Sequence, residues 1–477
     1  MNGFRLYSLQ VDNKLINTSN IELVDDYISS HNNQFSLLIG NNGTGKSRIL
    51  SEIAKFFKDF EQLKNEKDLP THSDFCFNTL PSKVIALTNS ISDKFPVDHT
   101  FRTAKNRDHK ISQRDLNYNY LGTRNRVYSF SNKALMNRAL EIVFESYSEI
   151  DVSRNYRHIF DYLNYEPIIK LSFRFGGSSI YSHDKSLLRN ITPDTLVEYV
   201  EQKSNDSRFI QPNESLVNIV KYRAEDLCKF ILDKSSNYAT HKSLTVNFST
   251  KNIKRIQEDN SLYNDNVYEY ELVSILKKIG LLRYFEIQVF KKDGMSFNFS
   301  DASSGEANIL STLLALVPLL KNNSLILIDE PEISLHPSWQ SRYIDLLNKT
   351  LENVSGCHVI IASHSPFLAS NLKPHNSCVV KLENHKGIVS SSKVNKSTYG
   401  WSAEDILLNV FEMETTRNFD LYKSVSDALD LLARGQRDSS DLKNIRKEIE
   451  EFYSSLLDDD SIKPVIEAIF KAISHER

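Results

Sequence analysis

Short, continuous apolar runs alternate along this chain with longer segments in which apolar residues recur at helical spacing. Four runs, at residues 35–39, 84–87, 324–328 and 358–362, contain almost no polar positions. Runs of this kind are typical of strands that are buried on both faces of a parallel sheet. Helical patterns follow at residues 47–60 and precede the third run at residues 303–320. The alternation predicts an α/β fold, a mixed or parallel sheet with helices on both faces.

The remaining patterns divide the chain into regions. Residues of about 131–280 read as mostly helical, with Leu216, Val220 and Ile231 among the apolar positions of one face. Two alternating runs around the turn at residues 291–294 predict a hairpin. The segment after His364, and above all after Trp401, reads as helices. We therefore divide the chain into a two-part α/β head (residues 1–130 and 284–400), a mainly helical insertion (131–283) and a helical C-terminal region (401–477).

Composition and charge limit the functional classes. The chain has 477 residues, of which 40% are hydrophobic and 25% charged, as in soluble globular proteins. The net charge of −3 produces no protein-wide field for nucleic acid. The four cysteines form no CxxC pair, which argues against a zinc site or a disulfide scaffold. With neither a signal-peptide core nor a membrane-spanning stretch, we expect a cytoplasmic protein.

A local basic run is the remaining candidate for DNA contact. It consists of Arg102, Lys105, Arg107, Lys110, Arg114, Arg124 and Arg126. Such a run suits a nucleic-acid backbone, although charge runs are more often solvated faces.

The first apolar run leads into a glycine-rich loop and then into a helix. The loop has the pattern GxxxxGKS and consists of Gly40, Asn41, Asn42, Gly43, Thr44, Gly45, Lys46 and Ser47. In this strand–loop–helix setting the pattern predicts a P-loop, whose backbone N–H groups surround phosphates. Lys46 would reach the β- and γ-phosphates, and the Ser47 hydroxyl would bind Mg²⁺. The predicted ligand is a nucleoside triphosphate with Mg²⁺.

The third apolar run ends in an acidic pair, Asp329-Glu330. Ligands of open parallel sheets lie beyond the carboxyl ends of the strands. We therefore expect Asp329 to hold Mg²⁺ and Glu330 to accept a proton from an attacking water.

Three further strings resemble motifs of the ABC ATPase superfamily, in the form seen in its SMC, Rad50 and RecF branch. The signature-like string is Ser303-Ser304-Gly305-Glu306, which also reads as a helix capping box. A D-loop-like string at residues 332–337 begins with Glu332 and contains Ser334, Leu335 and His336. His364 follows the fourth apolar run as the switch histidine does. The resemblance implies ATP held between two copies of the chain, with Lys46, Glu330 and His364 as the catalytic groups. No clear Q-loop glutamine follows residues 84–87, and Asn89 is the candidate for its place.

The length of the segment between Ser47 and Ser303 limits which branch of the superfamily this chain resembles. It is too long for a transporter subunit, and it lacks the sustained heptads of Rad50 and SMC coiled coils. RecF-like and OLD-like ATPases remain, but no Toprim-type αβ pattern follows His364. The acidic cluster Asp458-Asp459-Asp460 is a candidate metal site, although we interpret it as a link between helices with an N-cap.

Strings at residues 84–96, 118–124, 163–167 and 399–406 resemble Septu-type antiphage ATPases, the PtuA-like group, some of which are encoded beside retrons. The resemblance implies an oligomeric ATPase that regulates a separate HNH nuclease (PtuB-like), with a retron reverse transcriptase and its msDNA as a further expected partner. The alternatives are a RecF- or SMC-like DNA-repair ATPase and a nucleotide-binding scaffold with little hydrolysis.

Overall fold

The computed structural model describes most of the chain and contains three sheets and thirteen α-helices within the described residues. These residues are 3–24, 31–63, 73–97, 117–122, 124, 131–145, 153–175, 188, 190–205, 214–234, 242–249, 254–255, 266–437 and 439–474. The strands are β1 (Leu6–Val11), β2 (Asn17–Thr18), β3 (Ile21–Glu22), β4 (Gln34–Gly40), β5 (Ser73–Phe77), β6 (Val84–Thr88), β7 (Tyr118–Leu121), β8 (Tyr165–Phe175), β9 (Lys242–Asn247), β10 (Lys254–Arg255), β11 (Leu282–Lys291), β12 (Ser296–Asn298), β13 (Leu325–Asp329), β14 (His358–Ala362), β15 (Ser377–His385) and β16 (Ile388–Lys393). The helices are α1 (Lys46–Leu63), α2 (Asn132–Glu145), α3 (Ser153–Tyr162), α4 (Pro193–Asn205), α5 (Glu214–Lys234), α6 (Asn266–Lys278), α7 (Ser304–Leu316), α8 (Pro337–Thr350), α9 (Pro366–Ala369), α10 (Ala403–Asn409), α11 (Phe419–Ala433), α12 (Ser440–Tyr453) and α13 (Lys463–Ser474).

The largest sheet has eight strands in the order β2-β16-β15-β4-β14-β13-β6-β7. Its neighbours are parallel except for the antiparallel pair β15 and β16. The four strands predicted from apolar runs, β4, β6, β13 and β14, lie at its centre and are buried at every position. Because parallel strands end at one edge, the sheet brings their carboxyl ends together.

Both faces of this sheet are covered. Leu325 and Leu327 of β13 point into a core shared with helix α1 and strand β1. The alternate residues Ile326 and Ile328, which face the other way, are equally buried. The α/β P-loop fold class predicted from the sequence is confirmed.

The middle of the chain is mostly helical, as predicted, and also contributes strands that were not predicted. It carries helices α2 to α6, but also β8, β9 and β10, which join β11 and β12 in an antiparallel sheet ordered β10-β9-β8-β11-β12. The buried positions of β8 alternate only in its second half, a weak signal for a strand. Strand β11 starts at Leu282, so the boundary drawn at 283/284 falls inside it. The predicted hairpin at residues 291–294 is β11–β12.

One other expectation was wrong, and one strand was missed. Residues after His364 were read as helices, but β15 and β16 lie between His364 and Trp401. Strand β7 was not predicted and forms an edge of the large sheet.

Residues Met1–Gly400 form one compact unit and Trp401–Arg477 another. The second unit consists of α10 to α13 and has its own core, in which Leu421, Leu442 and Ile469 are buried. The acidic cluster joins α12 to α13, and Asp460 accepts a hydrogen bond from the backbone N–H of Ile462.

Candidate nucleotide-binding site

Strand β4 delivers the glycine-rich loop to the carboxyl edge of the sheet, and helix α1 begins directly after it. Gly43 and Gly45 have φ values of 83° and 89°, which only glycine adopts readily. A Cβ at Gly40 would collide with the carbonyl oxygen of Leu382, and one at Gly45 would lie 2.7 Å from Ile16 Cδ1. The loop therefore needs glycine at these positions for both conformation and space.

Lys46 lies folded under this loop. Its Nζ donates to the carbonyl oxygens of Gly40 at 2.8 Å and Asn41 at 3.2 Å, and the residue is 6% exposed. Burial lowers the pKa of Lys46 to about 8, while the nearby carboxylates of Glu330, Glu332 and Asp329 raise it. A cation held in an arc of backbone is the arrangement that binds phosphate charge.

The two motifs that lie far apart in the sequence meet at Ser47 and Asp329. Ser47 Oγ donates to Asp329 Oδ1 at 2.9 Å. Asp329 is 1% exposed; burial raises its pKa to about 7, the Ser47 hydrogen bond lowers it, and the neighbouring carboxylates raise it further. A buried carboxylate among other carboxylates, bonded to one hydroxyl, fits a bound cation.

The oxygen ligands of this pair suit Mg²⁺, which is bound by one or two protein oxygens together with substrate phosphates. Within the described ranges, no group of three or more His, Cys, Asp or Glu residues could hold a metal ion. The Ser47–Asp329 pair therefore supplies only part of a coordination shell.

Glu330 follows Asp329 with a left-handed backbone, φ 49°. Its N–H donates to Ala362 O at 2.9 Å, which continues the pairing of β13 and β14 beyond Asp329. Non-glycine residues rarely adopt this conformation, and it is found disproportionately at functional sites.

His364 follows β14 at the same edge and is half-buried. Burial lowers the pKa of its imidazole, and the positive charge of Lys46 lowers it further. The ring is therefore neutral at pH 7, with one nitrogen as donor and the other as acceptor. Its backbone N–H donates to Glu332 Oε1.

Asn89, the Q-loop candidate, follows β6 at this edge. Its Nδ2 donates to Pro331 O at 3.3 Å, directly beside the acidic end of β13. The structure thus brings Lys46, Ser47, Asn89, Asp329 and the loop of His364 to one edge. The roles assigned to them from the sequence stay predictions.

The signature-like residues begin helix α7. Ser303 is its N-cap, and the reciprocal bonds of a capping box link it to Glu306, so the capping box is present. An added Cβ at Gly305 would lie 2.5 Å from Ser334 O, so α7 starts against the D-loop-like turn. In the part of the chain that the structure describes, no hydrogen bond joins Ser303–Glu306 to the P-loop of the same chain.

The D-loop-like residues lie in the turn between β13 and α8. Ser334 is exposed with φ 66°, and Leu335 is buried. His336 is exposed and is the N-cap of α8, where its Nδ1 lies 2.8 Å from Ser338 Oγ.

Sequence reasoning missed a buried ionic cluster after β6. Asp93 is 3% exposed and accepts hydrogen bonds from Arg124 Nε at 2.8 Å and Arg124 Nη2 at 2.7 Å. It also accepts one from the Tyr120 hydroxyl at 2.8 Å. Its position beyond the end of a buried strand was the available signal. Arg124 had been assigned to the basic run for nucleic acid, but its guanidinium binds Asp93 instead. The other six members of that run lie outside the described residues.

Comparisons with known proteins show the family of this chain. The model of the family AAA_15, an AAA ATPase domain, matches residues 5–369. The retron Vc95 probable ATPase of Vibrio cholerae serotype O1 biovar El Tor is 24% identical over 92% of this chain and 87% of its own length. The Septu protein PtuA of Bacillus thuringiensis is 28% identical over 20% of this chain and 24% of its own.

Among solved structures, the Smc head domain of Pyrococcus furiosus bound to the C-terminal domain of ScpA covers 82% of this chain and 96% of its own. It is 12% identical, with a TM-score of 0.31. None of the described helices is long and apolar enough to span a bilayer.

Proposed function

Since this chain belongs to the AAA ATPase domain family, we propose that it binds ATP with Mg²⁺ and hydrolyses it to ADP and phosphate. The hydrogen bond between Ser47 Oγ and Asp329 Oδ1 carries the proposal. It joins the hydroxyl of the phosphate-binding loop to the acidic end of β13, two groups that ATP hydrolysis requires side by side.

The chain's own groups divide the work of the reaction. The P-loop N–H groups and Lys46 bind the β- and γ-phosphates, and Glu330 accepts the proton of the attacking water. His364, neutral at pH 7, hydrogen-bonds the γ-phosphate. Ser47 and Asp329 would hold Mg²⁺, which when bound offsets the negative charge of the phosphates.

We propose further that the site is completed by a second copy of the chain. The hydroxyl of Ser303, the N–H groups at the start of α7 and the helix dipole offer a binding place for phosphate. In a two-fold dimer, these groups of one protomer would close the nucleotide held by Lys46 of its partner.

The biological role that we propose is antiphage defence, in which the nucleotide state of this ATPase regulates a separate HNH nuclease. The support is the similarity to a retron ATPase and to a Septu protein. A retron reverse transcriptase with its msDNA is the second partner to be tested.

Phosphate release by the full chain with ATP and Mg²⁺ tests the enzymatic part. We expect Glu330→Gln to lower kcat by about 10²- to 10⁴-fold, because the amide cannot accept the proton. Exposed Glu404→Gln serves as the matched control. Equal, near-zero rates for the wild type and Glu330→Gln would rule out ATPase activity.

Mixing two inactive variants tests the composite site. Lys46→Ala removes the phosphate-binding cation, and Ser303→Gly removes the hydroxyl while glycine remains a tolerable N-cap. In a mixed two-fold dimer one of the two sites has both groups intact, so a 1:1 mixture should recover about a quarter of the wild-type rate. No recovery from dimers shown to exchange would contradict closure by a second copy.

Co-purification with the product of a neighbouring HNH gene, with and without ATP, tests the regulatory part. A complex whose nuclease activity does not change between ATP and ADP would refute regulation by nucleotide state.

A further inference from the structure

A third carboxylate, that of Glu332, lies at this site and has no part in the proposed reaction. Strands β13 and β14 are parallel neighbours with Asp329 opposite Ala362, so the segments after them run side by side. Glu332 lies in the first of these segments, three positions beyond Asp329, and His364 lies in the second.

The carboxylate of Glu332 bonds across this gap. Glu332 Oε1 accepts the backbone N–H of His364 at 2.5 Å. The second oxygen, Oε2, is enclosed and has no hydrogen-bond partner within the described residues. Keeping a carboxylate buried here costs free energy, which a purely structural cap would avoid with a neutral side chain.

A second tie joins the same two segments. Ser365 Oγ donates to Gln340 Oε1 at 2.7 Å, and Gln340 Nε2 donates to Leu335 O at 2.9 Å. The loop of residues 363–366 is thus held to the turn of residues 332–336 at two points, the N–H of His364 and, through Gln340, the hydroxyl of Ser365.

The turn is itself constrained. Leu335 N donates to Glu332 O, and Ser334 has a left-handed backbone. The carbonyl of Ser334 lies against Gly305 at the start of α7. Through Glu332, this constrained turn is bonded directly to the backbone of His364.

We propose that Glu332 is a positioning residue that holds His364 in place for the γ-phosphate, so that the chain distinguishes ATP from ADP through the Glu332–His364 bond. This inference rests on the proposed function, since it requires His364 to contact the γ-phosphate. Glu332 itself touches no phosphate: it sets the position of the backbone that carries the imidazole.

Nucleotide discrimination tests this role without depending on turnover. The full chain carrying Glu330→Gln, which slows hydrolysis, is titrated calorimetrically with ATPγS and with ADP in the presence of Mg²⁺. We expect Glu332→Ala to weaken ATPγS binding about tenfold, the loss of one hydrogen bond to a charged group, and to leave ADP binding within about twofold. A general structural defect would weaken both nucleotides.

The variants separate positioning from other roles. Glu332→Gln keeps an oxygen acceptor for the His364 N–H and should retain most of the preference for ATPγS. Glu332→Asp keeps the charge but is one methylene shorter, and should lose it. Glu383→Ala, which removes a half-exposed carboxylate of β15, is the matched control. If Glu332→Ala does not fold, the Asp and Gln variants decide the question.

A double-variant cycle completes the test. His364→Ala and Glu332→Ala should reduce the ATPγS preference to a similar extent, and the combination should reduce it no further. Additive losses, a Gln variant as weak as the Ala variant, or an unchanged preference in Glu332→Ala would each overturn the inference. If the chain without a Glu332 substitution does not prefer ATPγS over ADP, the proposed function is refuted as well as this inference. If that chain prefers ATPγS and the Glu332 variants keep the preference, only this inference is refuted.

Discussion

A histidine lies at each end of strand β14: His358 is its first residue, and His364 lies two positions beyond its last. The polar groups around the two histidines differ in how far they satisfy each other. At the amino end, His358 is fully buried; its Nδ1 accepts from Leu6 N at 3.2 Å and its Nε2 lies 2.8 Å from Ser36 Oγ. Because Ser36 Oγ donates to Leu23 O, the assigned tautomer of His358 carries its proton on Nε2.

The amino-end cluster also holds a buried cation. The guanidinium of Arg5, 2% exposed, donates to the backbone carbonyls of Phe4, Gly356 and Asn32. Both ring nitrogens of His358 have protein partners.

The carboxyl end has the opposite character. Asp329, Glu330 and Glu332 gather around Lys46, and two residues have left-handed backbones. Polar groups that satisfy each other stabilise a fold, whereas crowded like charges and strain are kept where binding relieves them. We therefore expect the amino end of β14 to stabilise the fold and the carboxyl end to bind a ligand.

The largest effect that we expect at the binding end comes from Lys46→Ala. Removing the cation leaves the phosphate charge unpaired and should weaken ATP binding by about 10- to 100-fold. Calorimetric titration checks this, with Lys55→Ala, a more exposed lysine of the same helix, as the control. Equal ATP affinity in both variants would break the contrast between the two ends.

At the structural end, His358→Leu should destabilise the fold by about 1–3 kcal/mol, because the N–H of Leu6 loses its buried acceptor. Urea unfolding measures the loss, and exposed His375→Leu should leave stability nearly unchanged. Nucleotide affinity, corrected for the unfolded fraction, should stay at the wild-type value; a specific loss of affinity would place His358 in the binding site.

The pH dependence of stability is a second test of the structural role of His358. Burial lowers the pKa of His358 to about 3, with Arg5 adding to the shift, so between about pH 6.5 and 3 the unfolded chain takes up a proton that the folded chain does not. His358 should therefore contribute a loss of stability, as the pH falls below 6.5, that approaches about 1.4 kcal/mol per pH unit. Unfolding of wild type and His358→Leu at pH 7 and pH 5 isolates this contribution, which should be missing from the variant.

The smallest effect that we expect is a gain in the free energy of unfolding, not a loss. Asp329→Asn removes a buried charge next to other carboxylates while keeping the shape and an acceptor for Ser47, so we expect the nucleotide-free protein to gain about 1–2 kcal/mol at pH 7. Thermal unfolding measures the gain, and Mg²⁺-dependent ATP hydrolysis should be lost in parallel. A destabilised Asn variant would mean that Asp329 serves the fold rather than the ligand.

Several elements of the fold could be predicted because their signals are local. The apolar runs predicted the central strands, and the capping-box pattern of Ser303 and Glu306 predicted the start of α7. Strands β8 and β15 were missed because their burial is uneven along the strand. A strand whose pairing comes from distant partners leaves only a weak local pattern.

For the candidate site, the residue types were readable and their contacts were not. His364 was recognised from its place after β14, but the D-loop-like string gave no sign that its first residue, Glu332, bonds the His364 backbone. Arg124 looked like one member of a basic run until Asp93 was found beside it. Ion pairs and caps between distant residues depend on the register of the sheet, and no spacing rule states that register.

By itself, the sequence determined the P-loop, the acidic strand end and the α/β class. In each of these the strand, turn and helix are contiguous, so backbone freedom, apolar period and capping are settled by neighbouring residues. Only the tertiary structure decided that Ser47 bonds Asp329 and that Glu332 bonds the backbone of His364. It also decided that His358 is fully buried whereas His364 is half-buried. The reason is physical: burial and charge at a position depend on all the chain that packs around it, and the parallel sheet assembles those neighbours from hundreds of residues apart.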